Sequence, residues 1–392
     1  MGTAKVAVIK AGGYASDQLR PAVERALATI GGLEGLIPRG ARVFVKVNHL
    51  PPPSAPEKGI VTHPDFAEAV IAQLREATPH VAVGDDVHDG GEDGFSLSRY
   101  RQMCARTGAR LVNLREQGFV EVPCGGRVLD RIYLAREVVE ADVVVNLPKL
   151  KTHTLTLLTG AVKNLYGVIP AGLRSAFHGE YKELDRFGQV LVDVFSAVKP
   201  VVSIMDAVVA MEGDGPANGA VRPVGAVLAS RDAVALDAVA AQLMGVDPWR
   251  VITTRLAHEQ GVGVGELAEI EIAGTPLSEL TGGPFVLPTT APTRILDYLP
   301  RPVARVFARQ LVARPRVSKD RCVGCGACAR ICPTGAAAVV SGKARIYTAT
   351  CIRCMCCHEA CRFGAVILRR PPAGAVIHGL VRVGRRLTAR SG

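Results

Sequence analysis

The chain has 392 residues, enough for two domains, and a hydrophobic content of 48% that can fill a full-sized core. No stretch of 18 uninterrupted apolar residues occurs, so a transmembrane helix is not expected. The formal net charge of +11 sits in two segments, residues 286–316 and the tail after Leu368, each with six arginines and together with one acid, Asp297; the remainder is formally neutral.

From residue 5 to about 285, apolar strand-like runs alternate with helix-like stretches. Strands are expected at 6–10, 43–48, 81–84, 111–114, 143–147, 201–206, 226–230 and 269–273. Helices are expected at 17–30, 64–76, 98–107, 155–164, 232–244 and 248–260, where apolar residues recur at three- and four-residue steps. Asp65 and Asp232 read as start signals for two of these helices. The alternation predicts an α/β fold with a largely parallel sheet flanked by helices, and Val-rich strands suit a sheet covered on both faces.

Polar residues gather where the strands end: Lys46 and Asn48; Gly84, Asp85 and Asp86; Asn146, Lys149, Lys151 and His153; Asp206, Glu212 and Asp214; Ser230 and Asp232. Ligands of open α/β sheets bind beyond the carboxyl ends of the strands, so a shared pocket is expected there. The plainer reading is that strand ends are loops, and loops are polar. The stretch 146–153 is the densest. Pro148 should stop a strand, and Lys149, Lys151 and His153 then alternate on one side of an extended segment. A helix starting near Thr154 would add a positive end, with Lys163 and Asn164 about three turns later. This set suits a carboxylate or phosphate. The candidates are Lys149, Lys151 and Lys163 to hold an anion, and His153 or Asp206 to supply a proton. Lys46, Asn48, Asp85, Asn146 and Asn164 would line the site. His153 reads equally as a proton donor, a metal ligand or a structural histidine. No G-x-G-x-x-G follows the first strand, and neither a Walker A nor a G-x-S-x-G sequence is present, so nicotinamide and flavin sites have no support. Residues 213–219 and 261–265 read as loops, the first with acids that could meet a hard cation.

The basic segment 286–316 reads as a solvated linker or, with Leu299, Val303, Val306, Phe307 and Leu311 at helical spacing, as an amphipathic helix docking the cysteine-rich segment C-terminal to it. Contact of both basic segments with an anionic membrane surface is a further reading. Nucleic acid is disfavoured, because aromatic residues do not interleave with the basic ones.

Eight cysteines come next, in two copies of C-x2-C-x2-C-x3-C: Cys322, Cys325, Cys328 and Cys332, then Cys351, Cys354, Cys357 and Cys361, each 29 residues after its counterpart. This is the spacing of a bacterial-type ferredoxin module with two 4Fe–4S clusters, in which each tight loop gives three thiolates and the other half of the module gives the fourth. By that rule Cys322, Cys325, Cys328 and Cys361 hold one cluster, and Cys351, Cys354, Cys357 and Cys332 the second. Gly324 and Gly326 suit close backbone approach to sulfide. Pro333 follows the first quartet, and Arg362 takes that place after the second. Disulfides fit poorly, since the N-terminus runs straight into a strand-like segment; zinc sites favour separated cysteine pairs. Cluster thiolates imply a reducing compartment, hence the cytoplasm. Cys356 reads as a small hydrophobe or a tuning thiol, and Cys104 and Cys124 as buried fillers. The expected organisation is an α/β domain at 1–285, a basic linker at 286–316, a small α+β two-cluster domain at 317–370 and a basic tail at 371–392.

The stretch 146–151 with His153, the stretch 159–167, and Met205-Asp206 followed by residues 212–216 resemble the family named domain of unknown function 362. Members of that family often carry a C-terminal two-cluster module, including a loop like 351–357. The resemblance covers most of 40–250 and the cysteine region; it implies this architecture and an iron–sulfur label, not a substrate. The reading that joins these features is an oxidoreductase passing electrons from two clusters to a small anionic substrate at the strand ends, with an electron-donor redox protein as partner. An electron-transfer or assembly protein whose α/β domain binds a partner, and a non-redox enzyme with structural or sensory clusters, are the alternatives.

Overall fold

In the computed structural model, which describes residues 3–50, 52–87, 93–280, 282–291 and 313–371, the valine-rich runs become strands. Branched side chains pack well on a pleated surface that is covered on both faces. The chain divides into two units, Met1–Val286 and Leu287–Gly392.

The first unit contains β1 (Ala4–Lys10), β2 (Val43–Val47), β3 (Val81–Asp85), β4 (Arg110–Asn113), β5 (Phe119–Pro123), β6 (Arg131–Ala135), β7 (Val143–Leu147), β8 (Lys149–His153), β9 (Leu157–Leu158), β10 (Val202–Glu212), β11 (Ala220–Ser230) and β12 (Ile270–Gly274). The sheet order is β12-β1-β11-β10-β7-β2-β3-β4, with β8 beside β10 and β9. Neighbours are parallel from β10 through β7, β2 and β3 to β4, and again between β1 and β12. β11 alone on this path runs against both of its neighbours. The fold is thus α/β with a largely parallel sheet.

Period-two alternation sorts each strand between two cores. Val43, Val45 and Val47 join Val143, Val145 and Leu147 in one layer with helices Ser16–Thr29 and Pro64–Leu74, while Phe44 and Val144 face a second layer built on helix Leu184–Val198. The next positions on that second face are polar. The registers Gly84↔Lys46, Lys46↔Asn146, Asn146↔Ser203 and Ser203↔Ser230 place them side by side across five strands.

Several expected elements differ. The helix expected at 155–164 is a tight β8–β9 hairpin followed by helix Gly160–Asn164. The His153 side chain accepts from the Leu155 and Thr156 N–H groups at 3.0 and 3.4 Å, and Leu157 takes a positive φ that a helix interior does not accommodate. The helix expected at 98–107 starts at Tyr100, because Arg99 is left-handed and Asp93 caps a separate turn, Gly94–Leu97. His63, not Asp65, caps Pro64–Leu74; its ring accepts from the Asp65 N–H. Asp232 caps Ala233–Leu243 as expected. The β5–β6 hairpin and the extension of β10 and β11 into an eleven-residue antiparallel ribbon were not expected.

The second unit holds β13 (Arg314–Val317), β14 (Ala337–Val340), β15 (Lys343–Ile346) and β16 (Val366–Arg369), with antiparallel pairs β13–β16 and β14–β15. Each cysteine loop leads into one short helix, Ala327–Arg330 or Cys356–Glu359. Strand structure begins at Arg314, inside the segment expected to be linker. The expected linker helix around Leu299–Leu311 and the tail after residue 371 lie outside the described residues.

Candidate functional site

The carboxyl edge of the parallel strands carries a buried charge network. Lys149, at the start of β8, donates to Asp206 Oδ2 at 2.6 Å and to the Tyr14 hydroxyl at 2.7 Å. Tyr14, on the turn after β1, donates to Asp206 Oδ1 at 2.9 Å, and its ring stacks on His63 at 3.7 Å. The backbone N–H groups of His63 and Val208 also point at the Asp206 carboxylate. Burial lowers the Lys149 pKa, and the Asp206 charge offsets part of that. Burial likewise raises the Tyr14 phenol, helped by Asp206, and drives the His63 imidazole down to about 4 against the pull of Asp206. The Tyr14 side of this group opens on a groove of about 260 Å³ lined by Ser16, Arg20, Asp65, Glu68 and Arg106.

A second arm runs along β2, β3 and β7. Lys46 pairs with Asp85 at 2.9 Å and donates to Val47 O; burial lowers its pKa, with Asp85 opposing. Asn164 Nδ2 donates to Asn146 Oδ1 at 2.8 Å, Asn48 Nδ2 donates to Asn164 Oδ1 at 2.9 Å, and Lys151 donates to Asn48 Oδ1 at 2.6 Å and to Ile60 O at 2.7 Å. A Cβ on Gly167 would meet Asp85 Oδ1 at 2.8 Å and Lys46 Nζ at 2.9 Å, so only glycine lets that loop pass over the pair. Asp86 binds Arg115 and Arg174, the latter from helix Ala171–Glu180.

The structure therefore brings together Lys46, Asn48, Asp85, Asn146, Asn164, Lys149, Lys151 and Asp206. It does so as an interlocked set of donors and acceptors, where the sequence suggested a cage of cations facing a ligand. Lys163 lies with Nζ 5.5 Å over the Tyr166 ring. His153 is buried, and its Nδ1 accepts two backbone N–H groups, which fixes the proton on Nε2 and the ring as neutral. The helix N-terminus expected near Thr154 begins instead at Gly160, and its N–H groups at Ala161 and Val162 are taken by the buried carboxylate of Asp237, at 2.5 and 3.1 Å. Ser230 and Asp232 do not join the charge network: the Ser230 hydroxyl donates to Lys5 O, and Asp232 caps a helix. Tyr14 and His63 were missed. The signal for Tyr14 was its place just after a parallel strand, the rule that found Lys46 and Asp85.

In the second unit Cys328, Cys357 and Val366 form the buried core, with Cys361 packed against it. Burial raises the Cys328 thiol, and the neighbouring thiols that add to this are Cys361 and Cys325. Burial also raises Cys351, whose thiol neighbours are Cys354 and Cys332. Cysteines of the two loops thus lie near one another, as Cys328 and Cys332 also do to Cys357. Among the described residues no set of three or more Cys, His, Asp or Glu side chains closes tightly enough to hold a single metal ion.

A largely parallel α/β unit with a charged strand-edge site, in one chain with a thiol-rich unit, defines an iron–sulfur-binding α/β protein. Residues 43–242 match the family model described as Domain of unknown function (DUF362), and residues 315–337, which span the first quartet, match the 4Fe-4S binding domain. The chain belongs to the DUF362 family. It is 31% identical over 271 residues to the thylakoid-associated protein sll1697 of Synechocystis sp., covering 67% of this chain and 81% of that one. Among solved structures it is similar to the lactate racemase apoprotein from Thermoanaerobacterium thermosaccharolyticum, with a TM-score of 0.40 and 13% identity over 63% of this chain. The match spans 58% of that structure, less than two thirds of its length. Among the described residues no helix is long and apolar enough to cross a membrane.

Proposed function

We propose that this protein is an iron–sulfur oxidoreductase that reduces a small anionic substrate at the strand edge of its first unit, in a reducing compartment such as the cytoplasm. When bound, two 4Fe–4S clusters, one on Cys322, Cys325, Cys328 and Cys361 and one on Cys351, Cys354, Cys357 and Cys332, supply single electrons, two per substrate reduced. The observation that carries this reading is the Lys149–Tyr14–Asp206 contact set opening on the groove.

The chain's own residues supply the proton chemistry. Tyr14 lines the groove, and Lys149 stands 2.7 Å behind its hydroxyl. The Lys149 ammonium, whose lowered pKa makes it the acid, passes its proton to the Tyr14 oxygen as the Tyr14 proton moves to the substrate, so that the high-pKa phenol is never left ionised. Asp206 orients both donors. Arg20 and Arg106 are the cations of the groove, and they are held by Glu68 at 3.7 and 2.5 Å. Such exposed pairs are worth about 0–1 kcal/mol, so exchanging that carboxylate for a substrate anion costs little. A relative described as thylakoid-associated adds peripheral membrane contact to the proposal, through the other arginines of the basic segments, Arg294, Arg301, Arg305, Arg309, Arg382, Arg385, Arg386 and Arg390.

Reoxidation of dithionite-reduced protein by small anionic oxidants is the test. Tyr14→Phe and Lys149→Ala should each slow substrate-dependent reoxidation by about 10²-fold or more, with iron and sulfide content unchanged. Unchanged rates would remove the strand edge from the mechanism. Reoxidation by a protein alone would favour a pure electron-transfer role, and activity with the clusters held oxidised would favour a non-redox enzyme.

A further inference from the structure

The second unit presents a concave basic surface on the strands that wall its cysteines. β13 and β16 pair so that Arg314 stands directly opposite Arg369. The pairing concentrates positive charge on one surface of the sheet. The cavity beside them measures about 910 Å³ and is lined by Arg314, Arg316, Lys319, Arg369 and Arg370, against one acid, Asp320. Arg316, Lys319 and Arg369 are exposed, and among the described residues no ion pair joins them to an acid. The same two strands reach the thiols. Pro315, between the two arginines of β13, lines a small cleft with Cys332, Cys351, Cys354 and Cys357, and Val366 of β16 packs on Cys328 and Cys357.

We infer that this arginine-lined surface is the docking site of an acidic electron-transfer protein, which delivers its electron there; the inference rests on the redox role proposed above. Charge complementarity selects the partner and speeds encounter. The shape separates it from other polyanions: a concave basic surface accepts a protruding acidic loop, whereas a bilayer is flat. The described lining holds no aromatic residue on which bases could stack. The transfer itself is balanced: the partner, a reduced low-potential ferredoxin, loses one electron and this protein gains it, with no bond or proton exchanged.

The test uses full-length, cluster-loaded protein with a reduced acidic plant-type ferredoxin as donor and dithionite as the small-molecule control. In the Arg316→Glu/Arg369→Glu double variant, binding of the ferredoxin and its electron-transfer rate constant should both fall at least about tenfold at low salt, and the dependence on ionic strength should flatten. Arg316→Gln/Arg369→Gln should fall between. Reduction by dithionite and the visible spectrum should match wild type, which shows that the unit is folded. Wild-type binding and rate in the charge-reversed variant would overturn the proposal. So would lost binding to anionic phospholipid vesicles with ferredoxin binding intact, which would assign the surface to a membrane. Failure of dithionite to reduce the wild-type protein would instead overturn the redox role, independently of docking.

Discussion

The two units handle buried polar groups in opposite ways. At the strand edge of the first unit, Lys149, Asp206, Tyr14, Lys46 and Asp85 satisfy one another, so the site is complete as folded protein. In the second unit, Cys322, Cys328, Cys356 and Cys357 are buried beside Val366 and small alanines, which leaves thiols where a domain would otherwise place leucine or isoleucine. A core with so few branched apolar side chains rarely gains more than about 3–5 kcal/mol and needs a staple. The comparison teaches that charge in the first unit is structural before it is chemical, whereas the second unit, which matches a 4Fe-4S binding domain, places thiols where bound metal would add to its stability.

The largest expected effect breaks this contrast at the metal. Anaerobic chelation of iron should abolish hydrogen-exchange protection at 366–369 and leave 143–147 protected as before. Replacing both Cys328 and Cys357 with Ser should do the same. If β16 stayed protected without iron, the clusters would be passengers in a unit that folds by itself.

The next effect tests closure of the charge network. Asp206→Ala strands the Lys149 ammonium in the interior, and removing one partner of a buried pair costs about 3–5 kcal/mol. Replacing the pair by Lys149→Met with Asp206→Leu should restore most of that stability in urea unfolding, while abolishing the proposed proton delivery. A cost below about 1 kcal/mol for Asp206→Ala would mean that water already reaches Lys149 and the network is open.

The same contrast explains what was legible in the sequence. The iron–sulfur motif was readable because each C-x2-C-x2-C run puts three cysteines into seven residues, and the 4Fe-4S binding model matches over the first of them, at 315–337. The strand ends were readable because period two fixes which residue follows the last apolar one, as with Lys46 after Phe44 and Asn146 after Val144. The pairing at the edge was not readable, since it joins distant segments: Tyr14 meets Asp206 across 192 positions, and His63 meets it across 143. Counting lysines suggested free cations; only the fold shows that Asp206 and Asp85 already hold two of them. The helix expected at 155–164 failed for a local reason: His153 bonds the backbone ahead of it and closes a hairpin in place of the first helical turn.

The smallest effect lies within the cysteine repeat. The first loop places Gly324 and Gly326 at φ of 73° and 75°; the second places Arg353 and Met355 at the matching positions, with φ of 61° and 65°. A left-handed conformation costs a side-chain-bearing residue roughly 1–2 kcal/mol, of which glycine would return part as extra freedom in the unfolded chain. Arg353→Gly should therefore stabilise the unit by about 0.5–1 kcal/mol, seen as slower iron release to a chelator. Met355→Gly should act with the opposite sign. Met355 is 2% exposed, and burying such a side chain contributes about 1.5–3 kcal/mol, more than the strain it relieves. If both substitutions slowed iron release, Met355 would be strained without compensation; if both hastened it, the backbone of the second loop would depend on its side chains in a way the first loop does not.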